Sequence, residues 1–302
     1  MGRFVDLGMR ATGRFARVAP CVDVPTGSIV DLPGRGSTYL VDTGVPDRVA
    51  TRTRPPLILL HALACTGLLT WYPAITALRS RHRVITFDQR WHGQGIFSER
   101  FTLEDCADDA VAVADLLGID RFVAVGYSMG SLVAQLCWQR HPGRVAGVVL
   151  GASTMRFVDS GRDPAALRVV GDRVARAALT AASVAPAAAW TPGVDDNAWA
   201  LSQFRSTTGR RVGAAAAQIS RFDSSAWISR MNIPAAVVVT TKDRLIPAVR
   251  QRQLARQIAD ATVYDVDAGH SACVMRAERF TPAVQAACAS VSARAASPLA
   301  QH

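Results

Sequence analysis

The sequence predicts an α/β fold, in which a mostly parallel sheet is covered by helices on both faces and interrupted by one helical insertion. Three observations support this prediction. Short apolar runs bounded by turn residues recur along the 302-residue chain, as in strands that are buried on both faces. Segments with helical periodicity lie between these runs. Between residues 151 and 232 the alternation stops, because no run typical of a strand occurs there.

Seven apolar runs are predicted to form strands. They are residues 38–41, 57–60, 83–87, 122–126, 145–150, 235–240 and 262–266. Helices are predicted over residues 101–117, 131–141 and 277–296. The first of these begins with Thr102 three residues before Asp105, the spacing of a capping box with the shorter Asp in place of Glu or Gln. The second is ended by Pro142 and Gly143.

The stretch without strands is rich in alanine and arginine and also contains several large aromatic residues, which favours a helical cap inserted into the sheet domain. The predicted organisation is an N-terminal arm over residues 1–22, a core formed by residues 23–153 and 235–302, and a cap over residues 154–234. Three cap tryptophans, Trp190, Trp199 and Trp227, are predicted to line a substrate pocket.

The strongest chemical signal is a Gly-x-Ser-x-Gly segment made by Gly126, Ser128 and Gly130, directly after a buried strand and before a helix. A serine on such a tight turn projects above the sheet, and the two glycines keep side chains out of the turn. The N-terminus of the following helix presents backbone N–H groups to a developing oxyanion. The pattern therefore predicts that Ser128 is a nucleophile.

A serine hydroxyl needs a base to take its proton and an acid to orient that base. His270 follows the strand at residues 262–266 on a loop, where sites in open sheets gather, and Asp243 follows the strand at residues 235–240. The order Ser128, Asp243, His270 predicts a catalytic triad. Asp265 and Asp267 are rival acids, although both lie close to His270 in the sequence.

These motifs resemble those of the α/β-hydrolase superfamily, in particular its cap-bearing esterases, cofactor-free haloperoxidases and carbon–carbon bond hydrolases. The resemblance covers most of residues 38–292. It implies that the backbone N–H groups of Leu63 and Met129 form the oxyanion hole, and that His61 and the loop over residues 88–95 are structural. The sequence departs from the superfamily at Ala62 and Trp91, where glycine is usual. Relatives of this fold that use an aspartate nucleophile are disfavoured by the serine.

The predicted activity is hydrolysis of a carboxylic ester with an apolar acyl or alcohol group through an acyl-enzyme, without a cofactor or a metal ion. The same triad also suits an acyltransferase, a perhydrolase or a carbon–carbon bond hydrolase. A non-catalytic ligand receptor on the same fold is a further alternative. The expected partner is a small ester or lipid substrate, and the oligomeric state is not predicted.

The composition disfavours several other classes. Hydrophobic residues make up 49% of the chain and charged residues 19%, which is typical of a globular protein. The net charge of +10 comes from scattered arginines, with Lys242 as the sole lysine, so a nucleic-acid partner is not expected. The six cysteines show no C-x-x-C spacing, and buried thiols are expected.

The N-terminal arm allows two interpretations. Charged residues interrupt any apolar stretch long enough for a secretory signal, and no continuous membrane span follows, so a cytoplasmic protein is expected. On a helix, Arg3, Arg10, Arg14 and Arg17 would share one face, opposite an apolar stripe that ends at Val18. Residues 1–20 could therefore contact an anionic membrane surface peripherally. The favoured alternative is that the stripe packs on the core of the protein.

Overall fold

A computed structural model describes residues 18–46, 54–157 and 196–296 of the chain. They form one eight-stranded sheet with the order β1-β2-β4-β3-β5-β6-β7-β8. The strands are β1 (Ser28–Leu32), β2 (Gly36–Asp42), β3 (Leu57–Leu60), β4 (Val84–Phe87), β5 (Phe122–Tyr127), β6 (Val145–Gly151), β7 (Ala235–Thr240) and β8 (Thr262–Val266). Pairing is antiparallel for β1 with β2 and for β2 with β4, and parallel from β4 through β8.

The mostly parallel sheet is the architecture predicted from the sequence, and all seven predicted strands are present with their ends shifted by at most two residues. The sequence analysis missed β1. This edge strand is mostly exposed, with only Leu32 buried, and its apolar residues are interrupted by Asp31, so it lacks the apolar run by which the other strands were recognised.

Helices cover both faces of the sheet. They are α1 (Gly67–Arg79), α2 (Leu103–Leu116), α3 (Met129–Arg140), α4 (Asp196–Arg205), α5 (Gly209–Arg221), α6 (Ala248–Gln257), α7 (Ala272–Met275) and α8 (Ala277–Ala295). Buried residues of α2, α3 and α6 pack in one core cluster with one face of the sheet. Buried residues of α1 and α8 pack in the other. The side chain of Thr102 caps α2 as predicted, accepting a hydrogen bond from the backbone of Asp105 at 3.0 Å.

The described part of the predicted cap comprises residues 154–157, after β6, and residues 196–234, before β7. The second stretch contains α4, α5 and a short 3₁₀ helix at Ile228–Arg230. An isolated bridge between Arg156 and Asp223 joins the two stretches. The position of these helices places them over the ends of the strands that carry the predicted catalytic residues.

Several sequence predictions lie outside the described residues. They include Trp190 and most of the predicted basic face and apolar stripe of the arm. Val18 at the end of the stripe is described, and it packs on the core together with Ala19. Among the described residues, no helix combines the length and the apolar character needed to cross a membrane.

Candidate functional site

Ser128 occupies a sharp turn between β5 and α3, with φ of 52° and ψ of −117°. Residues other than glycine seldom adopt a positive φ, so contacts with the surrounding backbone must hold this turn. The Ser128 N–H donates to the carbonyl of Gly151 at 3.0 Å. A Cβ on Gly126 would lie 2.2 Å from the carbonyl oxygen of Gly130, and one on Gly130 would lie 2.1 Å from that of Leu60. Glycine is therefore required on both sides of the serine because backbone approaches too closely for a Cβ.

His270 lies on the loop after β8 and faces the serine. Its Nε2 is 2.8 Å from the Ser128 Oγ, a hydrogen-bond distance at which the imidazole can accept the hydroxyl proton. The hydroxyl of Tyr127, the residue before the serine, donates to the His270 carbonyl at 2.8 Å. The end of β5 thus fixes both the serine and the backbone of the histidine.

Asp243 lies on the loop after β7, and its Oδ2 is 2.7 Å from the Nδ1 of His270. The same oxygen accepts the hydroxyl of Thr240 at 2.8 Å, while Oδ1 accepts the backbone N–H groups of Leu245 and Ile246 at 2.8 and 2.9 Å. Burial raises the pKa of the Asp243 carboxyl, but the contact with His270 and these hydrogen bonds outweigh it, so the net pKa is lowered. The carboxylate is held ionised against the imidazole.

The two rival acids point elsewhere. Asp265 pairs with Arg252 at 2.8 Å, and Asp267 pairs with Lys242 at 2.8 Å. Both carboxylates are more than half exposed, whereas the side chain of Asp243 is fully buried. The structure therefore brings Ser128, His270 and Asp243 together and leaves the alternatives at the surface.

Of the two predicted oxyanion donors, one lines the cavity of the serine and the other follows the serine directly in the chain. Leu63 is part of the loop between β3 and α1 and lines the same cavity as Ser128. Met129 is the first residue of α3, where backbone N–H groups have no partner within the helix. Within the described residues, neither of these two N–H groups donates to a backbone carbonyl outside the regular helices and strands. Both are therefore suited to a developing negative charge.

His61 holds the oxyanion loop in place. Its Nε2 accepts the backbone N–H of Gln89 at 2.8 Å, which puts the ring proton on Nδ1, 2.8 Å from the carbonyl of Ala62. Burial, followed by the neighbouring His92, lowers the pKa of His61 well below its usual value. A neutral, fully bonded histidine of this kind is structural, as the resemblance implied, and the extra methyl of Ala62 lines the cavity.

The loop after β4 braces the same region. Asp88 accepts the backbone N–H groups of Gly67 and Gln94 at 2.8 and 2.9 Å, and burial raises its pKa to about 6. Trp91, which replaces a usual glycine, adopts a positive φ of 66°. Its indole N–H donates to the carbonyl of Ser98 at 2.8 Å, and its ring lies 5.5 Å from that of Phe101, so these contacts accommodate the bulky residue.

A cavity of about 410 Å³ opens onto the Ser128 hydroxyl and His270. Most of its lining is apolar, and Arg250 is the charged side chain among its described lining residues. The other described lining residues are Val18, Ala62, Leu63, Cys65, Leu69, Tyr127, Phe157, Ala200, Phe204, Ala216, Ile219, Ser220, Leu245, Ser271, Cys273, Val274 and Met275. A volume of this size, bounded mainly by carbon, suits a small molecule with an apolar group.

The predicted pocket tryptophans need correction. Trp199 is buried with its ring 4.8 Å from that of Tyr72, and Trp227 stacks on Trp138 at 6.3 Å. Neither lines the cavity, because each indole packs inward against a helix of the core. Trp190 lies outside the described residues. The cap contributes Ala200, Phe204 and Ile219 instead, and the sequence carried no signal that distinguished these from its other apolar residues.

The six cysteines all lie in the described residues, and all are free. Five are buried as expected, and Cys65 is partly exposed in the cavity. Burial raises the pKa of the Cys65 thiol to about 11, and that of Cys273, which also lines the cavity, rises well above its usual value. Thiols that stay protonated are poor nucleophiles, so neither cysteine is expected to compete with the serine.

Residues 55–276 match the family model described as the alpha/beta hydrolase fold. A putative carbamate hydrolase from Agrobacterium fabrum is 26% identical over 72% of this chain and 87% of its own length. A pimeloyl-[acyl-carrier protein] methyl ester esterase from Chromobacterium violaceum is 28% identical over 76% of this chain and 92% of its own. A 3-oxoadipate enol-lactonase from Acinetobacter baylyi is 33% identical over 35% of this chain, but the match spans only 38% of that lactonase.

The likeness extends to solved structures. The enol-lactonase from Burkholderia xenovorans superposes with a TM-score of 0.67 and 25% identity, covering 86% of this chain and 99% of its own. The family model covers well over half of the chain, and the named relatives that align with it all carry hydrolase names. The chain belongs to the α/β-hydrolase fold family and is an enzyme of the hydrolase type.

Proposed function

We propose that the protein is a serine hydrolase that cleaves carboxylic esters with an apolar acyl or alcohol group through an acyl-enzyme on Ser128. One observation carries the proposal. A chain of contacts begins at the Ser128 Oγ on the wall of an apolar cavity, passes to His270 at 2.8 Å, and continues from His270 to the buried Asp243 at 2.7 Å. A nucleophile, a base and an orienting acid within hydrogen-bond reach are what acyl transfer to a hydroxyl requires.

Acylation begins when the Ser128 oxygen attacks the ester carbonyl carbon and its proton passes to the His270 Nε2. The carbonyl π electrons move to the oxygen, and the backbone N–H groups of Leu63 and Met129 stabilise that oxyanion. The buried carboxylate of Asp243 stabilises the imidazolium that forms. Collapse of the tetrahedral intermediate breaks the bond to the alcohol, which leaves with the proton from Nε2.

Deacylation repeats these steps with water. His270 removes a proton from a water molecule, the resulting hydroxyl attacks the acyl carbon, and the oxyanion forms in the same place. Return of the proton from His270 to the Ser128 oxygen releases the carboxylic acid and restores the enzyme. No step uses a group other than the residues already described and one water molecule.

The lining of the cavity supports an ester with an apolar group over a small polar substrate. Apolar side chains from the cap, such as Phe204 and Ile219, lie on the same cavity as the serine. An acyl or alkyl group placed there loses contact with water, which contributes about 0.8 kcal/mol per buried methylene. A carbamate without a large substituent would leave most of the cavity unfilled. Ester hydrolysis is therefore preferred to carbamate hydrolysis, the activity for which several relatives are named.

The proposal is tested by labelling with a fluorophosphonate, which reacts covalently with an activated serine. Labelling and ester turnover are expected in the full chain and in Ser220→Ala, because Ser220 lines the same cavity but donates its hydroxyl to Ala217 at 2.7 Å. Ser128→Ala should abolish labelling and lower kcat by about 10⁴-fold or more. Labelling that survives in Ser128→Ala, or full turnover by that variant, would show that the nucleophile lies elsewhere.

A further inference from the structure

We propose that the N-terminal strap, defined as residues 18–21, is a wall of the catalytic cavity and limits the length of the apolar group that the enzyme accepts. The inference rests on the proposed ester hydrolysis. Val18 lines the same cavity as Ser128 and His270, although it lies 110 residues from the serine in the chain. No catalytic step involves the strap, so its contribution is to the shape of the cavity.

The strap is attached to the cap at the start of α4. The backbone N–H of Val18 donates to the Oδ1 of Asn197 at 3.1 Å. Cys21 is buried, and its thiol lies close to Asp196, the first residue of that helix. Burial, followed by the hydrogen bond and the negative charge of Asp196, raises the pKa of Cys21 to about 12. Both ends of the strap therefore contact the first turn of the helix whose next turn lines the cavity.

The same segment is attached to the core on two further sides. The N–H of Ala19 donates to the carbonyl of Val274 at 3.0 Å, and the hydroxyl of Tyr72 donates to the carbonyl of Ala19 at 2.6 Å. Tyr72 belongs to α1, and its buried ring makes an edge contact with that of Trp199 on α4 at 4.8 Å. Both backbone polar groups of Ala19 are thus satisfied by different helices, which fixes the position of the neighbouring Val18.

These contacts place the strap where two helices of the cavity wall, α4 and α7, meet. Val274 lies on α7, which begins two residues after His270 and also lines the cavity, and α4 contributes Ala200 and Phe204. A larger side chain at Val18 would enter the cavity from this wall without altering a hydrogen bond of the triad. A smaller one would lengthen the cavity in the same direction. Position 18 is therefore expected to control substrate length while leaving the reaction steps intact.

The expected size of the effect follows from burial. Each substrate methylene that is kept out of the cavity forfeits about 0.8 kcal/mol of binding free energy, which corresponds to about a fourfold loss in kcat/KM. An indole at position 18 displaces the space of about two to three methylenes. Long esters should then lose about 16-fold to 60-fold in kcat/KM relative to acetate esters, whereas Val18→Ala should shift the preference toward longer groups.

The experiment compares Val18→Trp and Val18→Ala with Val22→Trp in two series of esters, one with acyl groups and one with alkyl alcohols of two to twelve carbons. Val22 is the matched control because it lies just past the strap, is 71% exposed and does not line the cavity. We expect the length preference to move in opposite directions for the two Val18 variants in at least one series, and to be unchanged in Val22→Trp. Unchanged preference in both Val18 variants would overturn the proposal.

A binding measurement separates this proposal from that of ester hydrolysis. Titration calorimetry with straight-chain carboxylic acids and primary alcohols is done in the Ser128→Ala background, where no turnover is needed. If Val18→Trp weakens binding of the long-chain acids or alcohols in that background while the unmodified protein hydrolyses no ester, the strap proposal is supported and the proposed function fails. If esters are hydrolysed but Val18→Trp and Val22→Trp give the same length profile and the same binding, the function stands and the strap proposal fails.

Discussion

Replacing Asp243 with asparagine tests how the triad holds its histidine, because the two carboxylate oxygens of Asp243 serve different partners. Oδ1 accepts two backbone N–H groups, those of Leu245 and Ile246. Oδ2 accepts from His270 and from the hydroxyl of Thr240. An asparagine of the same shape must place its NH₂ group at one of these two positions.

The two orientations of that asparagine side chain differ in free energy. An NH₂ at the Oδ1 position faces two backbone donors that cannot become acceptors, at a cost of about 3 kcal/mol for the two lost hydrogen bonds. An NH₂ at the Oδ2 position faces His270, whose Nδ1 can lose its proton and accept, and the Thr240 hydroxyl, which can rotate and accept as well. The second orientation should therefore dominate by about 100-fold, and it leaves the imidazole proton on Nε2, directed at Ser128. A ring in that tautomer cannot take the serine proton.

The loss of negative charge adds to this effect. The Asp243 carboxylate stabilises the imidazolium formed during each step, and a charged hydrogen bond contributes about 1.5 to 3 kcal/mol, or about 10-fold to 100-fold in rate. Together the two effects predict that Asp243→Asn lowers kcat by about 10³-fold to 10⁴-fold. KM should change little because Asp243 does not line the cavity.

The assay is steady-state turnover of a short acyl ester, with the thermal midpoint measured on the same samples to check folding. Asp265→Asn and Asp267→Asn serve as controls, because both carboxylates pair with surface cations rather than with His270. They should keep kcat within about twofold. A folded Asp243→Asn variant that retained kcat within tenfold of the parent chain would refute the tautomer argument.

Two further predictions concern the fold around the site. In Gly126→Ala the new Cβ would lie 2.2 Å from a backbone oxygen, so we expect fluorophosphonate labelling to be lost and the thermal midpoint to fall. The control is Gly143→Ala, which should change neither because there is open space around Gly143. Normal labelling of Gly126→Ala would contradict the close approach. Burial lowers the pKa of His82 and of His92 to about 4, so their contribution to stability is present above pH 6.5 and is lost as the pH falls toward 4, whereas the pKa of Asp88, raised to about 6, makes the opposite contribution below pH 6. From pH 7 to pH 5, His82 and His92 should each lower the free energy of unfolding by about 2 kcal/mol, and Asp88 should raise it by about 1 kcal/mol. His61, whose pKa burial also lowers, adds to the loss, so we expect a net loss of at least about 3 kcal/mol in guanidinium unfolding. Equal or greater stability at pH 5 would show that these groups are not buried in this way.

The sheet was predictable because its strands are buried on both faces. The runs that became β3, β5 and β7 are continuous and apolar, and every residue in them is buried. That pattern exists in the sequence before any tertiary contact is known. β1 has no comparable pattern, since it covers only an edge and only Leu32 in it is buried. A half-exposed edge strand is specified by pairing with its neighbour, which a local pattern does not reveal.

The proximity of the three predicted triad residues was predictable for a related reason. The carboxyl ends of parallel strands meet at one edge of a sheet, so residues that follow β5, β7 and β8 come together whatever their separation in the chain. Ser128, Asp243 and His270 each follow one of these strands. The sequence already favoured Asp243 over Asp265 and Asp267, because those two lie close to His270 in the chain. The coordinates agree, since of the three carboxylates only that of Asp243 contacts His270, whereas Asp265 and Asp267 pair with cations at the surface.

The cap shows where helical spacing stops being informative. On α4, Trp199 and Gln203 are four residues apart and share one face, while Ala200 and Phe204 share another. The first face is held to the core, because Trp199 packs on Tyr72 and the amide oxygen of Gln203 accepts the Thr66 hydroxyl at 2.8 Å. The second face lines the cavity.

Each of these two faces of α4 carries one large aromatic residue and one other residue, so the sequence alone does not show which face lines the cavity. The choice is made by residues that lie far away in the chain. The strap and α1 contact the first turn of α4 through Asn197 and Trp199, while Ala200 and Phe204 line the cavity with the serine. The largest aromatic side chain of the helix, Trp199, therefore anchors the helix to the core, and its smaller neighbours shape the cavity.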